Sequence, residues 1–383
     1  MCFPSPLLRL PTGAAPTRRD PCGGWQPSTQ SISLISGAGA TLVAPQSGGH
    51  AVQSVPASPL FAGPFALATL SAPDGPAFPA LVTPEELVVD LRTAFGDGRL
   101  TVRRLLEDWT AALPRLRSLA GAGSPERWPL AEFRVHAPVE PRQVFQSGAN
   151  YRRHVIDLHV AHKAPGDDRP EGVRRAEAAQ IMDRRAAEDL PYVFTGLPSA
   201  ITGPYDEVVL PAWAEKPDWE LELAVVIGRP AHRVSVARAL EYVAGYTIAN
   251  DLTDRASVFR RDMPQIGTDW LRSKNAPGFT PLGPWLVPAE SIGDPDDLRL
   301  TLKLNGETMQ DESTKDMIFG VARMVAYASQ AARLLPGDLL LTGSPAGNGM
   351  HWGRFLRDGD VMDGAITGLG AQRVRCAAAV AAW

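Results

Sequence analysis

The sequence predicts an α+β protein dominated by short strands, with a small α/β domain in front of a larger strand-rich one, and three observations carry that expectation. From Val139 onward, apolar runs of strand length recur between Pro, Gly and Asp turns: AVVIG, GYTIAND, GPWLVP, LRLTLKLNGE, LLLTGSP and DVMDGAITGLG. Convincing helical periodicity interrupts them only over about 173–189, 236–243 behind Ser235, and 317–334. Strands and helices do not alternate in a regular βαβ series, which disfavours a dinucleotide-binding sheet.

Taken in order, residues 1–58 are rich in Pro, Gly, Ser and Ala without a sustained period, so they read as a disordered or mis-assigned leader. FALATLSAPDGPAFPALV then reads as two short strands around a PDG turn. EELVVDLRTAF and TVRRLLEDWTAALPRLRSL follow as two helices. The second places Val102, Leu105, Leu106, Trp109 and Leu113 on one stripe behind a Thr101 cap. These elements make a small N-terminal domain over 59–138, and 139–383 forms the second domain. No internal repeat is present.

Composition narrows the function classes. With 44% hydrophobic and 21% charged residues the chain is an ordinary globular protein, long enough for a large core. Its 38 basic and 42 acidic residues give a net charge of −4 and no basic block dense enough to follow a phosphate backbone, so nucleic acid is not an expected partner. No apolar run reaches the roughly 20 residues of a membrane span, and the first residues lack the order of a signal peptide, so the expected compartment is the cytoplasm. Cys2, Cys22 and Cys376 are too scattered for a disulfide framework or a cysteine metal site. Only five of the basic residues are lysines, so each lysine attracts notice.

In PDWELELAVVIG, period-2 geometry puts Glu220 and Glu222 on one face of a strand, opposite Trp219, Leu221 and Leu223. Periodicity alone leaves the pair either a solvated face or half of a metal site. AVVIG is apolar on both faces and therefore reads as buried, and a buried carboxylate pair needs a compensating cation. No Lys or Arg lies on this strand, and Asp251 ends a second strand in YTIAND, so the cation reads as a metal. Three oxygen donors without His or Cys suit Mg²⁺ or Mn²⁺, with Ca²⁺ as a substitute, and argue against zinc.

Two further stretches carry chemistry. In SGANYRRHVIDL, His154 and Asp157 are three residues apart, so one helical turn can set the carboxylate against the imidazole and make it a general base; the same spacing also fits a surface pair. Lys274, in WLRSKNAPGFTPLGPW, reads as a solvated charge or as a point charge for a substrate carboxylate or enolate. LLPGDLLLTGSPAGNG looks like an anion-cradling loop with Ser344 available, but it fits neither GxGxxG nor the P-loop pattern.

In their order and spacing these stretches, together with PSAITGPYDEVVLP, VAGYTIANDLTDR and LKLNGETMQDEST, resemble the fumarylacetoacetate hydrolase family over about 143–374. The resemblance implies a mixed β-roll C-terminal domain, a homodimer, one Mg²⁺ or Mn²⁺ per site, and a small-molecule oxo-acid substrate. Family members hydrolyse C–C bonds, decarboxylate, hydrate or isomerise 2-oxo acids and 1,3-dicarbonyls. By position, Glu220, Glu222 and Asp251 fall on the metal ligands, His154 on the general base, and Asp157 on the Glu that usually partners it. Tyr151, Arg255, Lys274 and Ser344 are implied substrate contacts. Val258 stands where many members carry Gln, and the charged segment 155–191 suggests a larger lid. The implied reaction is C–C hydrolysis of a 2,4-diketo acid, with decarboxylation, hydration, isomerisation, and lactone or imide hydrolysis as enzymatic alternatives and a non-enzymatic binding protein as a further one.

Overall fold

In the computed structural model, residues 60–121, 126–161, 166–265 and 267–379 are described, so the leader expected over 1–58 lies outside them, as does 162–165 of the expected lid. The two strands around the PDG turn form as expected: Ala66–Ser71 pairs antiparallel with Phe78–Val82. EELVVDLRTAF is not one helix. Its LVVD portion, Leu87–Asp90, pairs with the second strand through Val88 and Val89, and only Leu91–Phe95 is helical. β-branched residues pack well on a pleated surface, and Asp90 caps the helix by accepting from the Arg92 N–H at 2.8 Å, which fixes the switch. The next helix is capped by Thr101, as the sequence indicates, but Asp108 at φ −129 and ψ 52 divides it into Val102–Glu107 and Trp109–Gly121.

Among the described residues, the remaining chain builds two further main sheets. One has six strands in the order Val287–Pro288, Val243–Asn250, Leu221–Ile227, Leu339–Leu341, Val144–Ser147 and Val193–Gly196. Its pairs are antiparallel except for the parallel match of Leu339–Leu341 with Val144–Ser147. Leu221–Ile227 is central, and all seven of its residues are buried, which explains its apolar run. The other sheet has five strands and includes the hairpin Arg299–Leu304 and Glu307–Ser313. Asn305 and Gly306 turn that hairpin with φ 53 and 88, the left-handed pair that a tight two-residue turn requires.

Helix boundaries move for local reasons. The helix expected at 173–189 is Glu171–Glu188, and the one behind Ser235 is a 3₁₀ turn, Val236–Tyr242. The helix expected over 317–334 shortens to Val321–Ala331 because Asn150 captures the N–H groups of Ile318 and Phe319, holding them outside the helix. Arg152–Ala161 forms a full helix where the sequence suggested one turn.

The N-terminal elements share a core with the six-stranded sheet. Leu67, Leu81, Leu106 and Trp109 pack in one cluster with Val144, Ala224, Val226, Leu286 and Leu341, and Leu67 exchanges backbone bonds with Leu286. Burying each such leucine contributes roughly 2 kcal/mol. Among the described residues, no helix is long and apolar enough to cross a membrane.

Candidate active site and metal centre

Two neighbouring strands assemble the acidic cluster. In the register that pairs Leu221 with Asn250 and Glu222 with Ala249, Glu220 and Glu222 stand beside the end of Val243–Asn250, where Asp251 follows. The Asp251 N–H donates to the Glu220 carbonyl at 2.8 Å, and the Glu220 N–H to Asn250 Oδ1 at 2.9 Å, which locks the two chain segments together. One oxygen from each of Glu220, Glu222 and Asp251 lies within 4.8 Å of the others, and the residues are only 8%, 1% and 0% exposed.

The first cations to compensate the cluster are protein side chains rather than the metal expected from the strand. Two protein cations reach the cluster from outside the Glu220 strand, Arg255 from the segment just after Asp251 and Lys274 from a helix 54 residues beyond Glu220. Lys274, at the buried end of helix Trp270–Lys274, donates to Glu220 Oε2 at 2.7 Å, Asp251 Oδ2 at 2.5 Å and Thr253 Oγ1 at 2.7 Å. Arg255 donates to Glu220 Oε1 at 2.6 Å and to Asp218 Oδ2 at 2.8 Å. Asp218 is itself buried, so four buried carboxylates face two cations. The formal balance leaves two negative charges, which is the charge of one divalent ion.

Titration follows this arrangement. Burial raises the Glu220 carboxyl, but Arg255 and Lys274 outweigh it and hold the group well below the usual range. Among the described residues no cation contacts Glu222 directly, and burial and then the Asp251 charge push it well up. Burial lifts Asp251 to about 6 against the pull of Lys274. Lys274 is raised because Asp251, Glu220 and Glu222 together overcome the cost of its burial. A carboxylate kept from ionising by its neighbours is what an added cation would relieve.

His154 lies on helix Arg152–Ala161. It keeps some exposed surface, yet enough protein surrounds its ring that burial pushes the imidazole down to about 4, with Glu220 opposing. Asp157 does not hold it. Among the described residues no hydrogen bond joins the two, and Asp157 Oδ1 instead accepts from Arg175 Nη1 at 2.7 Å, tying this helix to Glu171–Glu188. The carboxylate turns instead to one N–H of Arg175 on the adjacent helix, whose other terminal nitrogen bonds Glu171.

The other singled-out residues fall into place around the cluster. Tyr151 is fully buried, its hydroxyl has no hydrogen-bond partner among the described residues, and burial followed by the Glu222 charge raises it well above its ordinary value. Ser344 accepts from Gln310 Nε2 at 2.8 Å. The preceding loop glycine, Gly343, donates its N–H to Glu222 Oε2 at 2.7 Å, so the anion at that N–H is the protein's own carboxylate. Val258 is buried beside the short turn Arg255–Ser257. Asp218, Thr253 and Gln146, which donates to Asp251 Oδ1 at 2.6 Å, are partners that sequence reasoning missed. Asp218 was legible, since it lies in phase with Glu220 and Glu222. A cavity of about 420 Å³ lined by Trp213, Phe259, Arg260 and Arg272 contains none of the three carboxylates, so the cluster and not this cavity marks the chemistry.

Comparison with known proteins agrees with the geometry. Residues 143–377 match the family described as fumarylacetoacetate (FAA) hydrolase, C-terminal. The chain is 44% identical over 186 residues to a 2,4-didehydro-3-deoxy-L-rhamnonate hydrolase of Sphingomonas sp. (strain SKA58), covering 48% of this chain and 64% of that protein. It is 41% identical over 273 residues to a human mitochondrial oxaloacetate tautomerase, covering 70% and 77%. Its fold is similar to that of a fumarylacetoacetate hydrolase from the psychrophile Exiguobacterium antarcticum, with TM-score 0.64, 27% identity and coverage of 82% and 100%. The chain belongs to the fumarylacetoacetate hydrolase family.

Proposed function

We propose that the protein is a divalent-metal-dependent hydrolase that breaks a C–C bond in a 2,4-diketo acid, an acylpyruvate or a fumarylacetoacetate-like compound. The observation that carries this reading is the buried trio Glu220, Glu222 and Asp251, which together with buried Asp218 keeps two formal negative charges after Arg255 and Lys274 are counted. An all-carboxylate donor set fits Mg²⁺ or Mn²⁺, with Ca²⁺ as a substitute. When bound, such an ion supplies Lewis-acid polarisation of substrate oxygens.

The chain's own residues account for the remaining chemistry. The Lys274 ammonium, fixed between Glu220 and Asp251, supplies positive charge for the oxygen that becomes an enolate. His154, neutral at physiological pH, takes a proton from water. The hydroxyl adds to the carbonyl carbon distant from the carboxylate, and the electron pair of the adjacent C–C bond leaves with the 2-oxo acid fragment as an enolate. Protonation of that carbon completes the products, a carboxylic acid and a 2-oxo acid. The unpartnered Tyr151 hydroxyl supports its assignment to the substrate, as does the buried position of Ser344. Arg255, held by Asp218, is assigned to Glu220 instead. The working unit under this reading is a homodimer, as the family resemblance implies.

One observation favours a second reading, keto–enol tautomerisation of a small oxo diacid such as oxaloacetate, which needs no activated water. Asp157 faces Arg175, so His154 lacks the carboxylate partner that water activation commonly uses. Chelator-treated protein assayed with and without Mn²⁺ on acylpyruvates and on oxaloacetate separates the two. Mn²⁺-dependent release of a carboxylic acid supports hydrolysis, whereas enol loss without cleavage selects tautomerisation.

A further inference from the structure

Gln146 is buried to 1% exposure on strand Val144–Ser147, between Phe145 and Ser147. Its Nε2 donates to Asp251 Oδ1 at 2.6 Å, while Lys274 holds the other oxygen of the same carboxylate. The amide orientation is fixed by charge, because Oε1 facing Asp251 would set two acceptors against each other. The opposite end, Oε1, is buried without a donor among the described residues. Folds rarely keep such an orphan unless the other end of the group is needed.

The adjacent strand Val193–Gly196 supplies the space. Val144 pairs with Gly196, and a Cβ built on Gly196 would lie 2.6 Å from Gln146 Oε1 and 2.8 Å from its carboxamide carbon. The backbone at Gly196 does not lie in the left-handed region, so the glycine is there for room and not for its conformation.

The geometry points to Gln146 as a positioning residue that fixes the Asp251 carboxylate for a divalent cation, with Gly196 as the gap that lets the amide reach it. The inference rests on the metal reading above. Asp251 has both oxygens held, one by an amide and one by an ammonium, and each oxygen keeps a lone pair for a cation. A partner that orients a ligand in this way typically changes metal affinity by about 10- to 100-fold when removed.

The test is manganese titration of chelator-treated full-length protein, with free Mn²⁺ read by electron paramagnetic resonance and melting temperature recorded for every variant. Wild type should bind, and absence of binding there overturns the metal reading together with this inference. Gln146→Ala, and the near-isosteric Gln146→Met, should weaken binding by about 10- to 100-fold while still melting cooperatively. Gly196→Ala should also weaken binding in the wild-type background, but add nothing once Gln146 is already alanine, because no amide remains to displace. If wild type binds and both Gln146 variants bind equally tightly, or if Gly196→Ala costs as much without Gln146 as with it, the inference is wrong.

Discussion

At the scale of single residues, charge compensation decides most of what the site can do. Lys274 is the only lysine touching the acidic cluster among the described residues, and it neutralises Glu220 and Asp251 at once. Replacing it with methionine keeps the volume but leaves buried Asp251 without its ion pair and Glu220 with Arg255 alone. The metal-free protein should lose about 3–5 kcal/mol in urea unfolding; an unchanged midpoint would show that the ammonium is not the compensating charge. His154 behaves differently. Folding lowers its pKa from 6.5 to about 4, so the folded state favours the neutral ring. The associated stability is present in full above about pH 6.5 and is lost as pH falls toward 4, where the unfolded chain binds the proton first. The acid limb that this group imposes on kcat/KM should therefore lie near pH 4, and His154→Ala should lower kcat by about 10²- to 10⁴-fold with Mn²⁺ affinity unchanged. Loss of manganese binding in that variant would place His154 among the ligands instead.

At the scale of elements, the site depends on segments that hold one another. Helix Arg152–Ala161 carries His154 and is tied to Glu171–Glu188 by Asp157 with Arg175 and by Arg152 with Asp183. These pairs are partly exposed, each worth roughly 0–1 kcal/mol, and their role is to hold the helical pair together. Asp157→Asn should therefore leave kcat near that of wild type, in contrast to His154→Ala; a loss as large as that of His154→Ala in steady-state kinetics would restore the dyad. The loop after Leu339–Leu341 is the stricter element. Gly343 has φ 91, its N–H holds Glu222, and a Cβ there would meet that of Asn150 at 3.0 Å. Gly343→Ala should cost about 1–2 kcal/mol in thermal unfolding and weaken manganese binding, because left-handed backbone disfavours a side chain. Unchanged melting and binding would contradict this role for the loop.

At the scale of the whole molecule, the parts legible in the sequence are those governed by local periodicity. The in-phase pair Glu220 and Glu222 and the strand-ending Asp251 could be read because each strand reports its own faces. Arg255 and Lys274 could not be assigned to Glu220, since they approach from 35 and 54 residues away and nothing on the strand encodes what packs over it. Gln146, 105 residues from Asp251, was hidden for the same reason. LVVD was misread because a short apolar run fits a helical turn and a strand equally well, and pairing with Phe78–Val82 decided it. The central claim is that a shared core brings Glu220, Glu222 and Asp251 together, beside Asp218, in a site whose two uncompensated formal negative charges one divalent cation offsets. The most direct measurement is the stoichiometry of Mn²⁺ bound by chelator-treated wild type and Glu222→Gln, followed by electron paramagnetic resonance. The account expects one ion per chain in wild type and binding weakened by orders of magnitude in the variant; equal binding in both, or none in wild type, would contradict it.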